Sequence, residues 1–418
     1  MKILQRKSHV NKTIQIPGSK SITHRALITG ALSDGYCRII NPSLCEDTLT
    51  TKKALEALGA VIEEGEDSLL VQGGFIFQSS AVEPCIDLQE SGTSFRLILA
   101  LCASKPTWSH LYGGSRLSKR PIKPLVACLE KLGAQIKWHG QVGNLPLSIK
   151  GGNIKGGALE LEASESSQYV SALMLIGPLL PEGIVIRLKG EIRSRPYISL
   201  TAHVMQCFGA KCYVEGNEII VPPKGPYRAR DFHVEPDCSN ASYFLGLPLL
   251  VGGSIGIEGI NSLSFQGDIR ILEIIREMGG KYTETQEGVW VQPWELKGVE
   301  LDMGDVPDLV PTVAALAAFA DGTTSIRNVP HLKVKESDRI HAICWEWKKL
   351  GIEISPLKDG LLIKGRPNYE RAKVFSHNDH RIAMSLTLLG SKQGDIVLEG
   401  EKAVKKSFPN FWELWDEI

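Results

Sequence analysis

The sequence predicts an α/β fold of six repeated units, gathered three and three into two similar domains. Three observations carry this expectation. Six short apolar helices each open on polar residues, five amphipathic helices stop at glycine in phase with them, and the chain's two ends complement each other.

The six polar starts are Ser21-Ile22-Thr23-His24-Arg25, Ser91-Gly92-Thr93-Ser94-Phe95-Arg96, Ser166-Ser167-Gln168-Tyr169, Ser239-Asn240-Ala241-Ser242, Pro307-Asp308-Leu309-Val310 and Asn378-Asp379-His380-Arg381. Each leads into a run such as ALITGAL, LILALCA or TVAALAAFA. The starts recur roughly every 70 residues, too long a period for a thin solenoid. Helices apolar on nearly every face belong inside a protein. Their first N–H groups must still be satisfied, so polar starts brought together would form an anion site.

The second set of helices ends at Leu58-Gly59-Ala60, Leu132-Gly133-Ala134, Phe208-Gly209-Ala210, Met278-Gly279-Gly280 and Leu350-Gly351-Ile352. Glycine just past the last apolar position is a common helix stop. Leu125, Leu129 and Leu132, like Ile340, Ile343, Trp347 and Leu350, recur at helical spacing and give a one-faced outer helix. Alternating stretches such as Gln135–Trp138 and Lys211–Val214 follow as strands. A unit therefore reads inner helix, strand, outer helix, then strands.

The sixth outer helix, around Phe408–Glu417, has no strands after it, whereas the N-terminus supplies strand-like Lys2–Gln5 and Thr13–Ile16 before the first inner helix. The chain start is thus expected to complete the sixth unit. That predicts one domain of residues 20–230 and another of residues 1–19 plus 231–418, with Pro222-Pro223-Lys224-Gly225-Pro226 as a hinge.

Composition bounds the function. The 418 residues carry 47 basic and 47 acidic side chains, a balance that indicates neither nucleic-acid binding nor a polybasic membrane patch. No apolar run is long enough to span a bilayer, and the start MKILQRKSHVNKTIQ lacks a signal-peptide core. Nine cysteines, irregularly spaced, read as buried thiols in a reducing compartment. The expectation is a cytoplasmic, monomeric protein with no cofactor and no metal.

The sharpest local signal is Pro17-Gly18-Ser19-Lys20-Ser21-Ile22-Thr23-His24-Arg25. Lys20, Ser21 and Arg25 set an ammonium, a hydroxyl and a guanidinium around a helix start, an environment suited to phosphate or carboxylate. The spacing is not that of a Walker loop. A Ser cap with surface cations is the plain structural alternative.

This segment resembles the phosphate-binding signature of the 5-enolpyruvylshikimate-3-phosphate synthase family. Further matches run through the chain in register with the units: Ser91-Gly92-Thr93, Lys119-Arg120-Pro121, Ser166-Ser167-Gln168-Tyr169, Ser194-Arg195-Pro196-Tyr197, Pro307-Asp308, Val334-Lys335-Glu336-Ser337-Asp338-Arg339, Asn378-Asp379-His380-Arg381 and Lys406-Ser407-Phe408-Pro409. The resemblance implies two domains of three βαβαββ units each, an inside-out α/β barrel with buried inner helices and an active site in the interdomain cleft. It implies transfer of the enolpyruvyl group of phosphoenolpyruvate to the 5-hydroxyl of shikimate 3-phosphate, with release of phosphate. It also implies that Lys20, Ser21, Arg25, Ser166, Ser167, Gln168, Ser194 and Lys335 hold shikimate 3-phosphate, with Tyr197 packed on its ring. Lys20, the Gly92 backbone, Arg120, Arg339, Arg381 and Lys406 are implied to hold phosphoenolpyruvate. Asp308 is our choice of base at the hydroxyl and Glu336 of proton donor at C3, with Lys20 as electrostatic partner or alternative acid.

Plain structural readings stand beside these. Glu336 and Arg339, three apart at the opening of an amphipathic helix, are an exposed pair worth at most about 0.5 kcal/mol in that view. Asn378, Asp379 and Asp308 become caps, His380 a structural hydrogen-bonder, and Arg120 a solvated loop cation. The fourth start, Ser239–Ser242, reads as a cap alone. Glu90 departs from the family by placing a carboxylate beside an anion site, and His331 stands where some members carry Asn. The nearest rival transfers enolpyruvyl to UDP-N-acetylglucosamine and uses a Cys-bearing loop, yet Gly113–Pro124 holds no cysteine. A non-catalytic phosphometabolite-binding protein is the rival from another class. It would have been favoured by loss of Lys20, Asp308 or Glu336, and all three are present.

Overall fold

The computed structural model describes residues 1–74, 82–151, 154–365 and 369–418. Among them, twelve α-helices alternate between inner and outer positions. They are α1 (Lys20–Ala31), α2 (Glu46–Ala57), α3 (Gly92–Cys102), α4 (Lys123–Lys131), α5 (Ser167–Ile176), α6 (Pro196–Cys207), α7 (Cys238–Val251), α8 (Ile271–Glu277), α9 (Val310–Ala317), α10 (Arg339–Lys349), α11 (His380–Gln393) and α12 (Phe411–Asp416). The odd-numbered helices are buried along nearly their whole length: every residue of α9 lies inside, as do Ile22–Ala31 of α1. The even-numbered helices bury one face, with Leu125 and Leu129 of α4 inside and Lys123 and Glu130 outside. Their glycine stops adopt positive φ, 106° at Gly59 and 111° at Gly133, where L-residues with a Cβ are strained.

The strands form small separate sheets, each built mainly from one unit. In the third, Gly157–Glu162 pairs in parallel with Ile184–Lys189 across the α5 crossover, and Glu218–Val221 and Tyr213–Glu215 continue antiparallel. Parallel neighbours need such a helical crossover, whereas the last two strands need only a tight turn. The third unit's final pair starts at Tyr213 rather than Lys211.

Chain contacts divide the protein into two compact units, Gly18–Val234 and Met1–Pro17 with Glu235–Ile418. Each has its own apolar core. The limits differ by a few residues from the crossings expected near 20 and 230, for identifiable reasons. Phe232–His233 pairs in parallel with Ile39–Ile40, and Val234 N–H donates to the Ile40 carbonyl. Gly18 lies so close to the Asn41 carbonyl that a Cβ would overlap it. The Pro222–Pro226 stretch is no crossing, because the N–H groups of Lys224 and Gly225 both donate to the Pro178 carbonyl within one unit.

The chain start behaves differently from expectation in one respect. Lys2–Leu4 does pair with Ile396–Glu399 in the sixth sheet. The next strand, Val10–Ile14 rather than Thr13–Ile16, instead pairs in parallel with Gly253–Glu258 in the fourth sheet. Val10 and Ile14 are buried there while Asn11 and Thr13 are not fully covered, an alternation that fixes the register. At the other end α12 is docked by aromatic contacts, with Phe411 and Trp415 at 5.8 and 5.0 Å from the Phe244 ring of α7. No helix among the described residues is long and apolar enough to cross a membrane.

Candidate active site

Within Gly18–Val234, the polar helix starts are tied together by one hydrogen-bond network. Lys20 opens α1 and its Nζ lies 3.0 Å from Asp47 Oδ2 in the first turn of α2. The Asp47 carbonyl accepts from Ser94 Oγ (3.1 Å), which also bonds Ser91 Oγ (2.7 Å) and Thr51 Oγ1 (2.8 Å). Thr51 in turn meets His24 Nδ1 at 2.7 Å. Ser91 caps α3 by accepting from Ser94 N–H, and Ser166 caps α5 through Gln168 N–H. Gln168 Nε2 reaches Thr93 Oγ1 at 3.0 Å, joining the α5 start to the α3 start. Ser21 lies inside α1 rather than at its cap, so the plain Ser-cap reading fails there.

Arg25 is deeply buried, only 2% exposed. Its Nε donates to Thr201 Oγ1 (2.7 Å), Nη1 to the Ser21 carbonyl (2.8 Å), and Nη2 to Ser171 Oγ (3.0 Å) and the Tyr197 carbonyl (3.4 Å). The side chain thus fastens α1 to the segment carrying Tyr197 and presents one remaining Nη1 proton. Burial lowers its pKa to about 10, which still leaves it charged at neutral pH. Ser194, at φ 57°, precedes Tyr197 and accepts its N–H at 3.2 Å.

Gly92 shows why no side chain fits at the α3 start: a Cβ would overlap the Nη1 atoms of both Arg120 and Arg96. Arg96 donates to the Gly92 carbonyl (2.9 Å) and the Pro121 carbonyl (3.0 Å), and Tyr169 OH also donates to the latter (2.7 Å). The Pro121 carbonyl, one residue past Arg120, is therefore held from two helices. Arg120 is no freely solvated loop cation.

The unit containing residues 235–418 gathers a different cluster. Asp308 sits on a 3-10 turn, Pro307–Leu309, leading into α9. Its Oδ1 accepts from Arg339 Nη1 and its Oδ2 from Arg381 Nη2, each at 2.9 Å. Arg339, 1% exposed, also donates to Glu336 Oε2 (2.9 Å) and to Asp379 Oδ2 (2.9 Å). Desolvation alone would raise the Asp308 pKa. The guanidiniums of Arg381 and Arg339, with Lys335, outweigh it and hold the carboxyl well below its usual range. The same three carboxylates overcome desolvation at Arg339 and raise its pKa.

Helix α10 begins only at Arg339, capped by Asp338, so Lys335 and Glu336 lie ahead of it. The Glu336–Arg339 pair is buried on the arginine side, not the exposed helical pair of the plain reading. Glu336, the expected proton donor at C3, has Oε2 engaged by Arg339 Nη2 at 2.9 Å. Asp379 does cap α11 through Arg381 N–H, and it also grips Arg339 and Ser337. At the fourth start the cap is Asp237, because α7 begins at Cys238. Ser239 bonds Asp268, and Asn240 Nδ2 donates to the Ser407 carbonyl (3.3 Å), beside Lys406. His331 is buried on the turn before Lys335, and His380 lies inside the first turn of α11.

Sequence reasoning missed Asp47, Arg96, Ser337 and Asp268. Asp47 reads locally as an acidic residue at a helix start, and only its 3.0 Å contact with Lys20 reveals more. Among the described residues, no three His, Cys, Asp or Glu side chains gather as a metal site.

The sequence profile of EPSP synthase (3-phosphoshikimate 1-carboxyvinyltransferase) matches residues 4–415. The chain belongs to the EPSP synthase family. It is 39% identical over 414 residues to the 3-phosphoshikimate 1-carboxyvinyltransferase of Syntrophobacter fumaroxidans, covering 98% of both chains. Identity to the enzyme of that name from Methanocaldococcus jannaschii is 36% over 421 residues, covering 100% of this chain and 97% of the relative. Among solved structures, EPSP synthase from Acinetobacter baumannii superposes with a TM-score of 0.83 at 29% identity, covering 99% of this chain and 97% of that one. The enolpyruvyl transferase NikO from Streptomyces tendae shares the fold with a TM-score of 0.79 at 15% identity, over 98% and 95%. Membership of the EPSP synthase family makes the chain an enzyme, a transferase of the shikimate route to aromatic amino acids.

Proposed function

We propose that the two clusters described above share the work of the family's reaction. That reaction moves the enolpyruvyl (1-carboxyvinyl) group of phosphoenolpyruvate to the 5-hydroxyl of shikimate 3-phosphate and releases phosphate by addition and elimination. The observation that carries the proposal is the seat of Asp308, whose two oxygens are each held by a separate guanidinium. A carboxylate kept ionised in this way can accept the 5-hydroxyl proton as oxygen attacks C2 of phosphoenolpyruvate. The bond to C2 forms, C3 takes a proton, and the tetrahedral adduct then loses phosphate from C2 and a proton from C3.

In this reading Lys20, Ser21, Arg25, Ser166, Ser167, Gln168, Ser194, Tyr197 and Lys335 bind shikimate 3-phosphate. Lys20, Gly92, Arg120, Arg339, Arg381 and Lys406 bind phosphoenolpyruvate. Arginine suits these places because its planar fork matches a carboxylate or phosphate edge. The Glu336–Arg339 contact makes Lys20 and Glu336 unequal candidates for protonating C3. Glu336 is engaged by Arg339, itself tied to Asp308 and Asp379, whereas the Lys20 ammonium has Asp47 as its carboxylate partner. The nine cysteines are all free thiols, in keeping with a cytoplasmic protein.

Phosphate release with shikimate 3-phosphate and phosphoenolpyruvate, run against UDP-N-acetylglucosamine as competing acceptor, tests the assignment. Turnover with the sugar nucleotide alone, or binding of both ligands without phosphate release, would overturn it.

A further inference from the structure

Glu90 occupies an odd place for an acid, two residues ahead of a helix whose first turn is flanked by Arg96 and Arg120. Its side chain is spoken for. Oε2 accepts from the Leu117 N–H at 2.8 Å, at the first residue of the 3-10 turn Leu117–Lys119. That donor belongs to an opening turn and has no partner within it. The turn leads directly to Arg120, whose N–H donates to the Leu117 carbonyl at 3.0 Å. Leu117 itself is fully buried, while Ser115, Arg116 and Lys119 around it are exposed. A parallel bond runs along the main chain, Gly114 N–H to the Gln89 carbonyl at 2.7 Å. Gly114 is the counterpart of Glu90 in shape as well, since a Cβ there would overlap Glu90 Oε1.

We infer that Glu90 is a positioning residue for Arg120: its carboxylate seats the Gly114–Arg120 segment against the Gly92 helix start and so sets the geometry of the phosphoenolpyruvate site. The inference rests on the assignment of that substrate to Gly92 and Arg120. Among the described residues, the contacts that seat the segment include Glu90 on Leu117, Gln89 on Gly114, and Arg96 and Tyr169 on the Pro121 carbonyl. Only the first depends on a side chain peculiar to position 90. An asparagine there, one methylene shorter, would not span to Leu117 N–H from the same backbone. Glu90 and the bare α-carbon of Gly114 therefore work as a matched pair.

Four variants test this: Glu90→Ala, Glu90→Gln, Gly114→Ala and the double Glu90→Ala/Gly114→Ala. Glu90→Ala is expected to raise KM for phosphoenolpyruvate about fivefold to tenfold, with kcat and KM for shikimate 3-phosphate within about twofold of the parent, as fits loss of positioning. Glu90→Gln keeps an acceptor of the same length and should stay within about twofold of the parent throughout. Gly114→Ala should match Glu90→Ala. In the double variant the second change should add nothing, because the carboxylate that the new methyl would displace is already gone. Trypsin supplies a readout independent of turnover: cutting after Arg116 and Lys119 should quicken in Glu90→Ala and Gly114→Ala but not in Glu90→Gln. A parent protein without phosphate release would sink the functional assignment, and the tryptic pattern would still decide whether Glu90 seats the segment. The inference is overturned if Glu90→Ala leaves KM for phosphoenolpyruvate unchanged or lowers it. It is equally overturned if Glu90→Gln lowers that KM, which would make Glu90 an electrostatic brake, or if cleavage is unaltered.

Discussion

The two anion clusters are built from the same residue types, and although Lys20 pairs with Asp47 in the first, they hold their arginines in opposite ways. In Gly18–Val234, Arg25 donates to hydroxyls and carbonyls, and Arg96 to two backbone carbonyls. Neutral acceptors satisfy a guanidinium's hydrogens without cancelling its charge, so the field remains available to a phosphate dianion. In the other unit, Arg339 and Arg381 are bound by Asp308, Glu336 and Asp379. There the charges largely cancel at rest, and what the arrangement secures is carboxylates at fixed positions, with Asp308 held ionised. The first cluster is suited to gripping, the second to proton transfer with gripping as its second task.

The sharpest way to break this contrast is to remove one arginine from each cluster. Arg339→Ala strands the fully buried Asp379 carboxylate and should cost about 3–5 kcal/mol in stability, the usual penalty for halving a buried ion pair. Arg25→Ala leaves buried hydroxyls and carbonyls short of donors, which costs about 1–3 kcal/mol. Urea unfolding of both variants measures the difference. Equal losses would mean that the charge pairing around Arg339 has no special weight.

Acid and base should move the two units in opposite directions. His24 is fully buried, its Nε2 has no hydrogen-bond partner among the described residues, and burial pushes its pKa down to about 3 from 6.5. A depressed histidine adds stability that is whole above pH 6.5 and lost as pH falls toward 3, by up to an amount on the order of 4 kcal/mol. Asp268, buried and near Asp308, has its pKa raised to about 7 from 3.8. Its contribution is present below pH 3.8 and is lost as pH rises through 7. Amide exchange, corrected for intrinsic rates and followed from pH 4 to 7.5, should show Gly18–Val234 gaining protection while the other unit loses it. His24→Gln and Asp268→Asn should each flatten one limb; parallel trends in both parent units would refute the opposition.

For catalysis, Asp308→Ala should lower kcat roughly a hundredfold or more while shikimate 3-phosphate binding, followed by calorimetry, stays largely intact. Near-normal turnover would remove Asp308 from the chemistry and leave the second cluster as a binding site like the first.

The repeating plan was legible because it rests on local signals. Apolar runs behind polar starts and glycine stops such as Gly59 and Gly133 need no tertiary information. The destination of Val10–Ile14 was not legible, since an alternating strand pairs equally well with either of two sheets until the rest of the chain is placed. Candidate residues were legible one at a time through the family signature, but their partners were not. Nothing in the local sequence around Asp379 separates a helix cap from a clamp on Arg339, because the second role depends on a residue 40 positions away. Asp47 was hidden for the same reason. Glu90 showed only its charge, and the carboxylate's work on Leu117 appears only once the loop is folded over it.

The smallest expected effect returns to the caps, which both clusters use. Ser91 caps α3 through its hydroxyl alone, whereas Asp379 caps α11 while holding Arg339 and Ser337. Ser91→Ala should therefore cost about 1 kcal/mol, the ordinary value of an N-cap. Ser91 also bonds Ser94 Oγ, and Ser94 keeps Thr51 and the Asp47 carbonyl as partners after that loss. Asp379→Asn keeps a capping oxygen, so any loss beyond the Ser91 value reports its grip on the guanidinium. Thermal unfolding of the two variants side by side separates these contributions. If Asp379→Asn cost no more than Ser91→Ala, Arg339 would be held by Asp308 and Glu336 alone, and the carboxylate-rich cluster would be smaller than its geometry suggests.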